Sequence, residues 1–78
     1  MLFETVRECL VSALDLTSDE ALRVDQNTTA ADLMKWDSAG HFMLIVELEE
    51  RFGIQFEDEE TVQLGSVPAI LKSVASKQ

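Results

Sequence analysis

Trp36-Asp37-Ser38-Ala39-Gly40-His41-Phe42-Met43-Leu44-Ile45-Val46-Glu47-Leu48-Glu49-Glu50-Arg51-Phe52 is the stretch whose reading decides the fold. Its spacing predicts a helix from about Ser38 to Phe52, with Gly53 as the stop. At ~100° per residue, Leu44, Ile45, Leu48 and Phe52 share one arc and should face a core, with His41 on that arc near the start. Ala39, Phe42, Met43 and Val46 fall on a second arc beside Ser38, bordered by Glu47 and Glu50. A helix that is apolar on two sides has more than it needs to bury one stripe. Ser38 itself has two readings: a helix N-cap, or a point where something is attached.

Working outward, Leu2, Phe3, Val6, Cys9, Leu10, Ala13 and Leu14 recur at three- and four-residue spacing and predict a first helix over Leu2 to Leu14. Cys9 falls at the margin of its apolar face, where a small core-edge residue is a better reading than a reactive thiol, because nothing nearby would activate it. Asp15 to Asp37 reads as a long connection punctuated by Ser, Thr, Asp and Asn. Leu16, Leu22, Val24 and Leu33 should pin it to the core, since a free loop of that length is unusual inside a compact domain. A short helical turn at Thr29 to Leu33 would be capped by Thr28 or Thr29. Beyond Gly53, Ile54 and Phe56 read as core plugs on an extended connector. Asp58 is placed to cap a short acidic helix that ends at Gly65. A last helix starts at Ser66, tolerates Pro68 in its first turn, and presents Val67, Ile70, Leu71 and Val74 on one face. The expectation is one all-α domain over residues 1–78: a four-helix bundle of three main helices and one short helix, with a long first loop.

Composition narrows what such a domain does. With 46% hydrophobic and 27% charged residues, the chain has the balance of a folded protein rather than a disordered one. Seventy-eight residues bury a modest core and leave little room for a deep enclosed active site. Fifteen acidic residues against six basic ones give a net charge of −9. That surface repels phosphate backbones and anionic membranes and attracts basic protein surfaces. The expected partners are therefore proteins, with no nucleic acid and no membrane. One cysteine makes no internal disulfide. No apolar run approaches the ~20 residues needed to cross a bilayer, and charges at Glu4 and Arg7 interrupt any signal-peptide core. The expected setting is cytoplasmic, as a monomer.

Catalytic and metal readings are weak. Asp37, Ser38 and His41 invite a hydrolytic triad, but the helical angle turns His41 to the core side, and neither an oxyanion site nor a substrate pocket is recognisable. The run Glu57 to Glu60 lacks the alternating ligand spacing and later bidentate glutamate of a calcium loop. No Cys/His cluster suggests zinc, so no metal and no enzymatic activity are expected.

The order of these features resembles the acyl carrier protein family, the phosphopantetheine-binding carrier domains. The resemblance runs from the first helix through Val74. It rests on Asp37-Ser38 opening the second helix, on Leu48-Glu49-Glu50-Arg51-Phe52 downstream, and on the length, acidity and long first loop. It implies a four-helix bundle whose Ser38 carries a covalent 4′-phosphopantetheine arm donated by coenzyme A. The arm would hold an acyl or aminoacyl group as a thioester for fatty acid, polyketide or related biosynthesis. The implied partners are a phosphopantetheinyl transferase, a loading enzyme, and a downstream synthase or transferase. They would dock on Asp37, Ala39, Phe42, Met43, Val46, Glu47 and Glu50. Ala39 replaces the usual leucine, Met43 stands where many members have an acid, and Glu57 replaces a frequent proline. Gly40 should loosen the helix start. Trp36 is seen more in secondary-metabolite carriers than in housekeeping fatty-acid ones, and the type expected is a free-standing secondary-metabolite carrier. Two other readings remain: an unmodified acidic adaptor that uses the same helix, and, more distantly, a small hydrolase.

Overall fold

In a computed structural model that describes residues 2–77, the chain forms five α-helices: α1 (Leu2–Leu14), α2 (Ser18–Arg23), α3 (Ser38–Phe52), α4 (Asp58–Thr61) and α5 (Val67–Lys77). A single 3-10 turn, Ala30–Asp32, lies between α2 and α3, and no strand forms among the described residues. The all-α expectation holds, with α1, α3 and α5 as the three main helices. α1 packs chiefly on α3 and less extensively on α5. Val6, Leu10, Leu44, Leu48, Ile70 and Val74 are fully buried between them. Each such side chain contributes roughly 1.5–3 kcal/mol on leaving water, so this seam supplies most of the fold's cohesion.

The first loop departs from expectation. Residues 18–23 are helical because Thr17 and Glu20 form a capping box: Thr17 Oγ1 accepts the Glu20 N–H at 3.2 Å, and Glu20 Oε1 accepts the Thr17 N–H at 2.9 Å. Leu22, expected to pin the loop, is 76% exposed on α2. Leu16, Val24 and Leu33 are buried as expected, and Trp36 joins them. The 3-10 turn is capped from Thr29, whose N–H reaches Asp32 Oδ2 at 2.9 Å. Thr28 is instead buried, and its hydroxyl accepts the Asp25 N–H at 2.8 Å. An isolated bridge between Thr29 and Ser66 then ties the loop to the start of α5.

Three smaller corrections concern caps and faces. Cys9, expected at the margin of the apolar face, has no exposed surface. Burial raises its thiol above the ordinary cysteine range, with nearby Arg51 opposing the rise in part. The N-cap of α4 is Glu57, not Asp58, and its N–H donates to Glu60 Oε1 at 2.8 Å. α5 begins at Val67, one residue after the expected start, and Ser66 caps it by accepting the Ala69 N–H at 3.2 Å. Gly53 closes α3 at φ 65°, ψ 39°, a left-handed conformation that glycine adopts without steric cost. Ile54 and Phe56 pack half-buried against the core.

Candidate functional site at the start of α3

The residue that caps α3 is Asp37, one position before the serine. Its backbone is extended and Oδ1 accepts the Gly40 N–H at 2.8 Å. The capping reading of Ser38 is thereby overturned: Ser38 is the first helical residue, exposed, and its hydroxyl takes no hydrogen-bond partner among the described residues. Two good capping side chains stand in succession, and the backbone register gives the role to the first. The first turn is fixed tightly. A Cβ on Gly40 would run into the Lys35 carbonyl oxygen and would sit 2.6 Å from Leu14 Cδ2. Gly40 therefore tightens the helix start by letting the loop and the end of α1 close on it, the opposite of the loosening expected from its sequence position.

His41 is held from both sides. Trp36 Nε1–H donates to His41 Nδ1 at 2.9 Å, and the two rings stack at 6.2 Å between centroids. An indole N–H only donates, so Nδ1 must be an acceptor and the proton lies on Nε2. Nε2–H then donates to the Thr61 carbonyl at 2.7 Å, joining α3 to the end of α4. Neither ring nitrogen reaches for Ser38, and the Asp37 carboxylate is occupied at the cap. The triad geometry is absent: the three residues are neighbours without a relay.

Beside Ser38 lies a cleft of about 420 Å³ between α3 and the connector that leads through α4. Phe42, Ile45, Val46 and Phe56 give it apolar walls. Ser38, His41, Glu49, Asp58 and Thr61 supply its polar edge. Glu49 also accepts the Phe56 N–H at 2.8 Å, fixing the connector to α3.

No protein-family model matches the chain.

The seven anticipated docking residues divide. Asp37 and Ala39 are exposed beside Ser38; Phe42 is 67% and Met43 48% exposed, so both face outward. Glu50 is exposed and Val46 half-buried on the cleft wall. Glu47 turns the other way, where its carboxylate accepts the Ser12 hydroxyl of α1 at 3.2 Å. Asp58 shares the cleft with Ser38, and so does Glu49, which is absent from the anticipated docking set. Its position was legible: Glu49 stands eleven residues, three turns, after Ser38 and so returns to nearly the same helical angle. Thr61 and Phe56 come from beyond Gly53, and only the closure of the chain brings them to the site. No group of three or more His, Cys, Asp or Glu side chains suited to a metal occurs among the described residues.

Proposed function

We propose that this protein is a carrier: Ser38 accepts a 4′-phosphopantetheine arm from coenzyme A, and the loaded domain delivers an acyl or aminoacyl group to partner enzymes. The observation that carries the reading is the unpartnered, exposed Ser38 hydroxyl at the first position of a 15-residue helix, beside an apolar-walled cleft. These residues fit the group. A phosphodiester at Ser38 would lie at the N-terminal end of α3, where backbone N–H groups lack helical acceptors and the helix dipole favours negative charge. Asp37 satisfies only one of those N–H groups, that of Gly40. The arm supplies a terminal thiol that holds the cargo as a thioester. Ser38 is the acceptor of the modification, made by a separate transferase, and not a catalyst.

The chain's own residues then govern encounter. Asp37, Glu49 and Glu50 offer negative charge around Ser38 to basic partner surfaces, which raises association rates and sets orientation. Phe42 and Met43 give an exposed apolar contact next to them. Gly40 and the Trp36–His41–Thr61 chain of hydrogen bonds hold the start of α3 rigid, so the attachment point is presented in one orientation. Cargo transfer gains from effective concentration, because docking makes the encounter of cargo and active site intramolecular. The partners would be the transferase, a loading enzyme and a downstream synthase or transferase, in the cytoplasm. No helix among the described residues is long and apolar enough to cross a membrane.

The exposed Phe42 and Met43 beside acidic residues also suit an adaptor that binds a partner without carrying anything. Intact mass after incubation with coenzyme A and a set of broad-specificity transferases separates the two. A carrier gains one arm; an adaptor stays at its unmodified mass with every transferase.

A further inference from the structure

We propose that the thioethers of Met34 and Met43 are peroxide-sensitive modification sites, which weaken docking of the transferase when oxidised and restore it when reduced. The proposal rests on the carrier reading of Ser38 and adds a control to that site. Both methionines lie in the open: Met34 is 96% and Met43 48% exposed. Met34 stands at the corner of a turn closed by the Trp36 N–H, which donates to the Leu33 carbonyl at 3.0 Å. Leu33 and Trp36 are buried, so both feet of the turn are fixed and Met34 projects from it. Met34 precedes Ser38 by four residues, at most about 14 Å of extended chain. Met43 follows Ser38 by five residues on α3, about 7.5 Å along the axis, one turn beyond Ala39 and one before Val46 and Glu47. Along the chain, a thioether thus stands on either side of the serine.

The core is built differently. Among the described residues, no methionine is buried in it or half-buried against it. Its sulfur is that of Cys9, which has no exposed surface and whose thiol burial keeps protonated and unreactive. Peroxide therefore meets sulfur beside Ser38 and not inside the fold. The sulfur lone pair takes one peroxide oxygen as the O–O bond breaks, leaving a sulfoxide and water; sulfur is oxidised and peroxide reduced. The product puts a polar oxygen where a soft apolar group stood. Left exposed, that oxygen is hydrated and costs the fold nothing. Covered by a partner it must shed its water, so the cost falls on binding alone. Methionine sulfoxide reductases, with a dithiol as reductant, release the oxygen as water and regenerate the thioether while the dithiol becomes a disulfide.

The test treats the full chain with dilute hydrogen peroxide, and peptide masses locate the added oxygens. Arm addition from coenzyme A by a broad-specificity transferase is then timed over a range of protein concentrations. Oxidation at Met34 and Met43 should raise KM on the order of tenfold with kcat unchanged, the mark of lost binding. Helical circular dichroism should stay the same, and methionine sulfoxide reductases should return KM to its starting value. Each variant is compared with its own untreated form. Met34→Leu with Met43→Leu should abolish the response to peroxide, and Met34→Leu alone should keep part of it. An unchanged KM after both methionines are oxidised overturns the proposal. So does a response that survives in the double variant, a loss of helical signal on oxidation, or a methionine of the pair that gains no oxygen. A chain that takes no arm before oxidation removes the carrier reading and this proposal with it, an outcome that intact mass distinguishes from the others.

Discussion

The two sides of α3 are built by different means. Toward α1 and α5, the helix is fastened by fully buried aliphatic side chains such as Leu44 and Leu48 against Leu10 and its neighbours. Toward α4, it meets a four-residue helix with no buried residue, tied on by His41, with Glu49 holding the connector. Apolar packing is strong and hard to reverse, whereas a few half-exposed hydrogen bonds exchange with water at small cost. Ser38 stands at the start of the helix that divides these sides. Ser38, the proposed attachment point, is thus borne by the rigid half and opens onto the half that is easiest to move.

Breaking the packed side should have the largest effect. Leu48→Ala removes a fully buried side chain from the centre of the seam and should cost about 2–5 kcal/mol, read from urea unfolding. A cost below about 1 kcal/mol would mean that the seam is looser than its burial indicates. Gly40→Ala comes next. Its new methyl has to displace the Lys35 carbonyl or Leu14, for roughly 1–3 kcal/mol, and it should slow modification of Ser38 by disturbing the first turn. An alanine tolerated without loss would show that the close approach is not required.

The other side should respond locally. Lys77→Ala removes the ion pair with Glu60 and the cation that lies 5.6 Å from the centre of the Phe56 ring. Melting temperature should change little, while amide exchange at residues 58–64 quickens and exchange in α1 stays the same. Exchange that quickens equally in both places would deny the two-sided construction.

Acid should act in the same direction and most mildly. Glu20 is held below the ordinary carboxylate range by the Thr17 backbone N–H and then by Lys35; Glu60 is held below it by the Glu57 N–H and then by Lys77. Both folded-state pKa values are depressed, so their stabilisation is present above the ordinary glutamate range and is lost as pH falls through the folded values. Melting temperature should be flat from neutrality to about pH 5 and decline below it, with α2 and α4 loosening first. Glu20→Gln with Glu60→Gln should flatten that decline.

Legibility followed the same division. α1, α3 and α5 were readable because their apolar residues recur with helical spacing and end up in the packed seam. α2 was missed for the converse reason: Leu22 points to solvent, and only polar residues fix the segment. Its signal was nevertheless printed in Thr17-Ser18-Asp19-Glu20, a capping box four residues long. The cap of α3 was misplaced by one residue because Asp37 and Ser38 are equally good caps, and the choice depends on backbone register rather than residue type. The link from His41 to Thr61 spans twenty residues and uses a backbone carbonyl, which no side-chain pattern encodes. Likewise, the role of Gly40 is set by Leu14 and Lys35 arriving from elsewhere in the chain.

The central claim is that Ser38 is a point of attachment, and mass measured before and after modification tests it most directly. The protein is incubated with coenzyme A and a broad-specificity phosphopantetheinyl transferase, then weighed intact and as peptides. The account predicts one added phosphopantetheine, located on the peptide containing Ser38, and none on a Ser38→Ala protein that keeps its helical circular dichroism. An adduct that persists in Ser38→Ala, or an unmodified wild type after treatment with several transferases, would contradict it.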